Sequence, residues 1–132
     1  MNNMKIHHIG YLVKSIEKSK SLFLSLGYDL EQDTVYDVFR KVDICFLIKD
    51  GYRIELVSPK DSSSVVGELR KKVGNSPYHI CYEVESLEDA VSALAEKRFV
   101  VWDEPHEAPA INGKKVIFLV NGQIGMIELV EA

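Results

Sequence analysis

A chain of 132 residues, 46% hydrophobic and 27% charged, has the size and composition of one globular domain, 1–132, that buries a core without covalent staples. Its net charge of −4 gives no footing to a polyanion-binding surface, so nucleic acid is not an expected partner. No run of about 18 apolar residues occurs and residues 1–10 lack the apolar stretch of a secretory leader, so the expectation is a cytoplasmic protein without a membrane partner.

In chain order, the first predicted element is a strand over 6–13. Ser15 then offers an N-cap and Glu17 an acidic first turn for a helix, and Gly27 suits the left-handed position that closes it. Three strands are expected near 28–36, 41–48 and 52–57, the last two joined by the hairpin turn Lys49-Asp50-Gly51-Tyr52. Residues 58–64 are turn-rich, and Val65, Val66, Leu69 and Val73 suggest a short linker helix bearing Arg70, Lys71 and Lys72.

The same order then starts again with a strand over 78–84. Ser86, Glu88 and Asp89 open a second helix, in which Leu87, Ala90, Val91, Leu94 and Ala95 share one face. Arg98 stands where Gly27 stands in the first copy; its side chain disfavours the left-handed conformation, so this helix is expected to end differently. Strands follow near 99–103, 114–120 and 125–131, with a turn at Asn121-Gly122-Gln123. Cys45 and Cys81 have no closely spaced Cys or His pair beside them and read as reduced small hydrophobes.

The recurrence extends to residue identity. His8-Ile9-Gly10-Tyr11-Leu12-Val13-Lys14-Ser15-Ile16-Glu17 matches His79-Ile80-Cys81-Tyr82-Glu83-Val84-Glu85-Ser86-Leu87-Glu88 at six of ten positions, at an offset of 71. Asp43-Ile44-Cys45-Phe46-Leu47-Ile48 pairs with Lys115-Val116-Ile117-Phe118-Leu119-Val120 at offset 72, and Ile54-Glu55-Leu56-Val57 recurs as Ile127-Glu128-Leu129-Val130 at offset 73. Three collinear matches argue for a duplicated module. The expected fold is α+β: two βαβββ modules, about 5–57 and 77–131 with a linker at about 58–76, related by pseudo-twofold symmetry. Their curled mixed sheets would enclose a metal-binding cleft, with the helices outside.

Each first strand carries a histidine and each last strand a glutamate: His8, Glu55, His79 and Glu128. Strand alternation sends Ile9, Tyr11 and Val13 under the helix and His8 to the opposite face, and the same parity separates Glu55 from Ile54 and Leu56, and Glu128 from Ile127 and Leu129. One strand histidine is more often structural than a ligand, and a lone strand glutamate is usually solvated. Two of each at matching addresses make a donor set for one divalent ion, Zn, Ni, Co or Mn, with two positions left for a bidentate substrate. His7 falls on the core-facing parity, and His106 in a Pro-containing loop has no counterpart.

These residues resemble the vicinal oxygen chelate superfamily, which holds the glyoxalases, bleomycin-resistance proteins and extradiol dioxygenases, and within it methylmalonyl-CoA epimerases and glyoxalase I (lactoylglutathione lyase). The resemblance runs from His8-Ile9-Gly10 through Ile54-Glu55-Leu56-Val57-Ser58-Pro59, Ser76-Pro77-Tyr78-His79-Ile80 and Gly113-Lys114-Lys115-Val116-Ile117-Phe118-Leu119 to Ile127-Glu128-Leu129. It implies His8, His79 and Glu128 as metal ligands, with Glu55 at the fourth position, and a homodimer as the usual assembly. The Gly-Lys-Lys segment and the linker look more like the epimerase branch. Departures from that branch fall at Tyr78, Ile111-Asn112 and Val120-Asn121, outside the ligand positions.

The implied activity is abstraction of a proton next to a carbonyl through a metal-stabilised enolate, on a small CoA or glutathione thioester or hemithioacetal. Glu128 is the first-choice base, Glu55 its counterpart, and Asp43, counted as cleft-facing, a further candidate. Glyoxalase I-type isomerisation and metal-free drug sequestration are the alternatives. The retained four-donor set weighs against the latter, and Glu55 weighs against a two-His, one-carboxylate iron dioxygenase.

Overall fold

A computed structural model describes residues 3–61, 63, 64 and 66–132. By contacts these form two units, His8–Tyr78 and residues 3–7 with His79–Ala132. The linker therefore packs with the first module.

In the first unit the elements are β1 (Lys5–Leu12, whose first three residues group with the other unit), α1 (Ile16–Ser25), β2 (Asp29–Asp37), β3 (Val42–Lys49), β4 (Tyr52–Pro59) and α2 (Gly67–Val73). The Ser15 hydroxyl accepts the Lys18 amide at 3.2 Å and so starts α1 as the sequence predicts. Strands run in the order β2-β3-β4-β1, antiparallel except for the parallel β1–β4 pair. Asp50 and Gly51, both at positive φ between the paired Lys49 and Tyr52, make the two-residue hairpin whose twist matches its strands. Under α1 lie Val13, Ile16, Cys45, Leu47, Ile54 and Leu56, with Ile9, Tyr11 and Phe23 packed against them. Each such aliphatic side chain contributes about 1.5–3 kcal/mol when fully buried. β2 is the rim of this sheet; its register with β3 shifts at Leu30/Gln32 and again at Gln32/Val35. Val66 is buried at the start of α2, and the Ser64 hydroxyl donates to the Arg40 carbonyl at 2.8 Å, which ties the linker down. The place expected for Val65 lies outside the described residues.

The second unit holds β5 (Ser76–Val84, which begins in the first unit), α3 (Leu87–Ala95), β6 (Val100–Val101), β7 (His106–Ala108), β8 (Lys114–Asn121) and β9 (Gly125–Glu131). Its order is β5-β9-β8-β6, β5 and β9 are parallel, and β7 also pairs with β8. The core under α3 is Val84, Leu87, Ala90, Leu94, Ile117, Leu119, Ile127 and Leu129. Ser86 caps α3 as Ser15 caps α1, accepting the Asp89 amide at 3.2 Å.

Two expectations change. Arg98 takes the left-handed conformation after all, with φ of 67°, and the Phe99 amide reaches the Leu94 carbonyl at 3.2 Å, just as Tyr28 reaches Phe23 beyond Gly27. The Asn121 amide donates to the Lys97 and Arg98 carbonyls at 3.2 and 3.4 Å and braces the turn that glycine makes unaided in the first copy. The strand expected near 99–103 is shortened to β6 (Val100–Val101), and His106, expected in a loop, instead opens the additional strand β7 and pairs with Val116.

Candidate metal centre

In the first unit, register fixes which side chains share a face. Gly10 pairs with Glu55 and Phe46 with Glu55, so His8, Phe46 and Glu55 lie on one side of the sheet, while Cys45, Leu47, Ile54 and Leu56 lie under α1 on the other. His8 and Glu55 are 1% and 2% exposed. His8 Nε2 stands 3.2 Å from Glu55 Oε1, and the Phe46 ring meets the imidazole edge-on at 5.2 Å between centroids.

The second unit repeats the arrangement. Cys81 and Phe118 pair with Glu128 in the register, so His79, Cys81, Phe118 and Glu128 share the face away from α3. His79 Nε2 is 3.2 Å from Glu128 Oε1, and the Phe118 ring meets His79 edge-on at 5.1 Å. Both residues are buried.

The pair geometry suits a metal. Nitrogen and oxygen donors about 2.1 Å from one ion, set at right angles, are about 3.0 Å apart, and at tetrahedral angles about 3.4 Å; each observed pair, at 3.2 Å, falls between. In each unit the pair is buried with one phenylalanine ring against its imidazole, and the low solvent exposure strengthens any charge interaction there. Both duplicated His and Glu pairs therefore occupy the faces that the sequence assigns them.

Asp43 does not. An unbroken β3–β4 register gives it the parity of Cys45 and Leu47, the face under α1, and opposite to Glu55 and Phe46. It instead pairs with Lys60, whose Nζ is 2.7 Å from Asp43 Oδ2; that hydrogen bond raises the Lys60 pKa above its ordinary value. The expectation that Asp43 faces the histidines is thus corrected.

Sequence reasoning missed Phe46 and Phe118. Their signal was present, since phenylalanine is identical in both copies, within the stretch that matches at offset 72. It also missed Trp102 and Asp103, which have no counterpart in the first module. The Trp102 amide donates to the Phe118 carbonyl at 2.9 Å, and Asp103 Oδ1 accepts the Phe118 amide at 2.8 Å, so this pair of residues does the work of a paired strand. Cys45 is buried and free, and desolvation pushes its thiol up to about 11, in keeping with a packing role.

Comparison with known proteins agrees with this architecture. The chain is similar to the mitochondrial methylmalonyl-CoA epimerase of Bos taurus, 28% identical over 132 residues that cover 97% of this chain and 74% of that protein. It is 30% identical over 118 residues to the protein YqjC of Bacillus subtilis strain 168, covering 87% and 81% of the two chains. A solved structure of methylmalonyl-CoA epimerase in complex with methylmalonyl-CoA and NH4+ superposes with a TM-score of 0.84 at 22% identity, over 98% of this chain and 94% of that one, which shows a shared fold. A family model matches residues 7–118, from beside His8 to Phe118. The chain belongs to the glyoxalase/bleomycin resistance protein/dioxygenase superfamily.

Proposed function

We propose that the protein is an epimerase of the methylmalonyl-CoA epimerase type, in which His8, Glu55, His79 and Glu128 together hold one divalent ion, Zn, Ni, Co or Mn. The observation that carries this reading is the duplicated His–Glu pair, 3.2 Å apart in each unit and buried behind a phenylalanine. The relatives named as epimerases give the choice of reaction its support.

A bound ion supplies Lewis-acid polarisation of the substrate carbonyl, which lowers the cost of placing charge on its oxygen. The protein's own residues supply the proton chemistry. Glu128, a ligand that can loosen, would take the proton from the carbon between two carbonyl groups, and Glu55, its counterpart in the other module, entering that step protonated, would give its own proton to the opposite face of the same carbon; both carboxyls exchange protons with solvent between turnovers, and the reverse direction exchanges the roles. Phe46 and Phe118 keep water from the pairs, so the carboxylates are poorly solvated and the transient enolate is not quenched at random. Glyoxalase I-type isomerisation of a hemithioacetal uses the same elementary step with reprotonation at the neighbouring carbon, and is the second reading.

The test is a metal-replete assay of the purified protein in deuterated solvent with methylmalonyl-CoA, and in parallel with the glutathione hemithioacetal of methylglyoxal. Deuterium entry at the α-carbon of methylmalonyl-CoA, abolished by EDTA and restored by added ion, is expected. Turnover of the hemithioacetal alone replaces the first reading with the second, and uptake into neither overturns both.

A further inference from the structure

Within the second unit the aromatic side chains form a ladder. Its buried end is His79, its middle rung is Phe118 at 5.1 Å, and its outer rung is Trp102, whose ring lies 5.8 Å from that of Phe118 at an interplanar angle of 61°. Phe118 is 0% exposed and Trp102 is 40% exposed, so the ladder runs from the donor pair to solvent. Val100 pairs with Val120 and therefore shares the face of Phe118, and alternation places Trp102 there too. The rung is held firmly: the backbone bonds from Trp102 and Asp103 to Phe118 fix the height of the indole relative to Phe118. In the first unit the residue that pairs beside Phe46 is Gln32, an exposed amide, so the indole has no twin. The duplication is broken at this position of the sheet.

We infer that Trp102 is a substrate-contacting residue that packs against the thiol-derived arm of a bound acyl thioester. This rests on the epimerase reading and names which part of the substrate the second module grips. A dicarboxylic acyl group engages the donors at the buried end, so the long arm attached through sulfur must leave along a path to solvent. The exposed end of the ladder is such a path, and a neutral amide-and-methylene arm is a good partner for an indole face, which offers large rigid area at little entropic cost. The acyl group by itself reaches only the inner rungs.

Trp102 is the chain's single tryptophan, so its emission reports on this contact without engineering. The metal-loaded protein is titrated with methylmalonyl-CoA and with free methylmalonate, while calorimetry measures binding independently of the fluorescence. The thioester is expected to change the emission and the free acid, at saturation, to leave it unchanged. Trp102→Ala should raise KM for methylmalonyl-CoA on the order of tenfold with kcat within about twofold, and Trp102→Phe should restore most of the loss; circular dichroism confirms that both variants fold. Calorimetric binding of the thioester with no change in emission, or a Trp102→Ala protein with unaltered KM, overturns the inference and leaves the epimerase reading standing. Failure of calorimetry to detect thioester binding overturns both together.

Discussion

Replacing Glu128 with glutamine separates what the site costs the fold from what it gives the ion. Glu128 is 1% exposed, and holding a charged carboxylate this deep costs the hydration it has in the unfolded chain. Glutamine keeps the shape and removes the charge, so the metal-free variant should be more stable than wild type by about 1.5 kcal/mol. At the unfolding entropy usual for a chain of this length, that is a rise in Tm of about 5 °C. With ion present at about a hundred times its Kd, wild type gains about 2.7 kcal/mol, or about 10 °C, and the variant, lacking one charged donor, should gain little. Scanning calorimetry at pH 8 with EDTA and then with excess nickel measures both halves. A Glu128→Gln protein that melts below wild type in EDTA and keeps the full metal-induced rise would refute the assignment of this carboxylate.

Three further outcomes follow from the geometry. Arg98→Gly should stabilise by about 1 kcal/mol by removing a β-carbon from the left-handed conformation at φ of 67°, whereas Gly27→Ala should destabilise, since φ there is 97°; chemical denaturation reads both. Asp43→Asn should leave kcat for epimerisation within about twofold, because Asp43 is on the face opposite Glu55 and pairs with Lys60; a loss approaching a hundredfold would restore it as a base. Cys45, its thiol pushed up to about 11 by burial, stays protonated at pH 8, so a thiol reagent should leave it unmodified in the native protein and react with it in denaturant.

The architecture was legible because the chain states it twice. His8 with Glu55, and His79 with Glu128, could be sorted onto a face from alternation alone, because the apolar neighbours Ile54, Leu56, Ile127 and Leu129 declare the opposite one. Asp43 was misplaced because counting along a single strand has no absolute phase until a partner fixes it; the pairing of Phe46 with Glu55 supplies that phase. Arg98 was read from intrinsic preference, and the outcome was decided by Asn121, a residue 23 positions away that braces the turn. The break between β6 and β7 depends on Asp103 replacing a backbone acceptor, and a carboxylate in a polar stretch carries no mark of that role. Pro105, which cannot donate to a ladder, was the one local hint that the strand would stop.

The double slip in pairing along β2 also bears on how the protein avoids growing into fibrils. A nine-residue strand at the rim of a sheet is long enough to template a neighbouring molecule. Two interruptions between Leu30 and Val35 bend its outer side away from a straight line, and the exposed carboxylates of Asp29, Glu31 and Asp33, the last two paired with Arg53 and Lys20, set charged groups along it. Straightening that segment would leave the chemistry of the buried pairs untouched and would trade solubility for self-association.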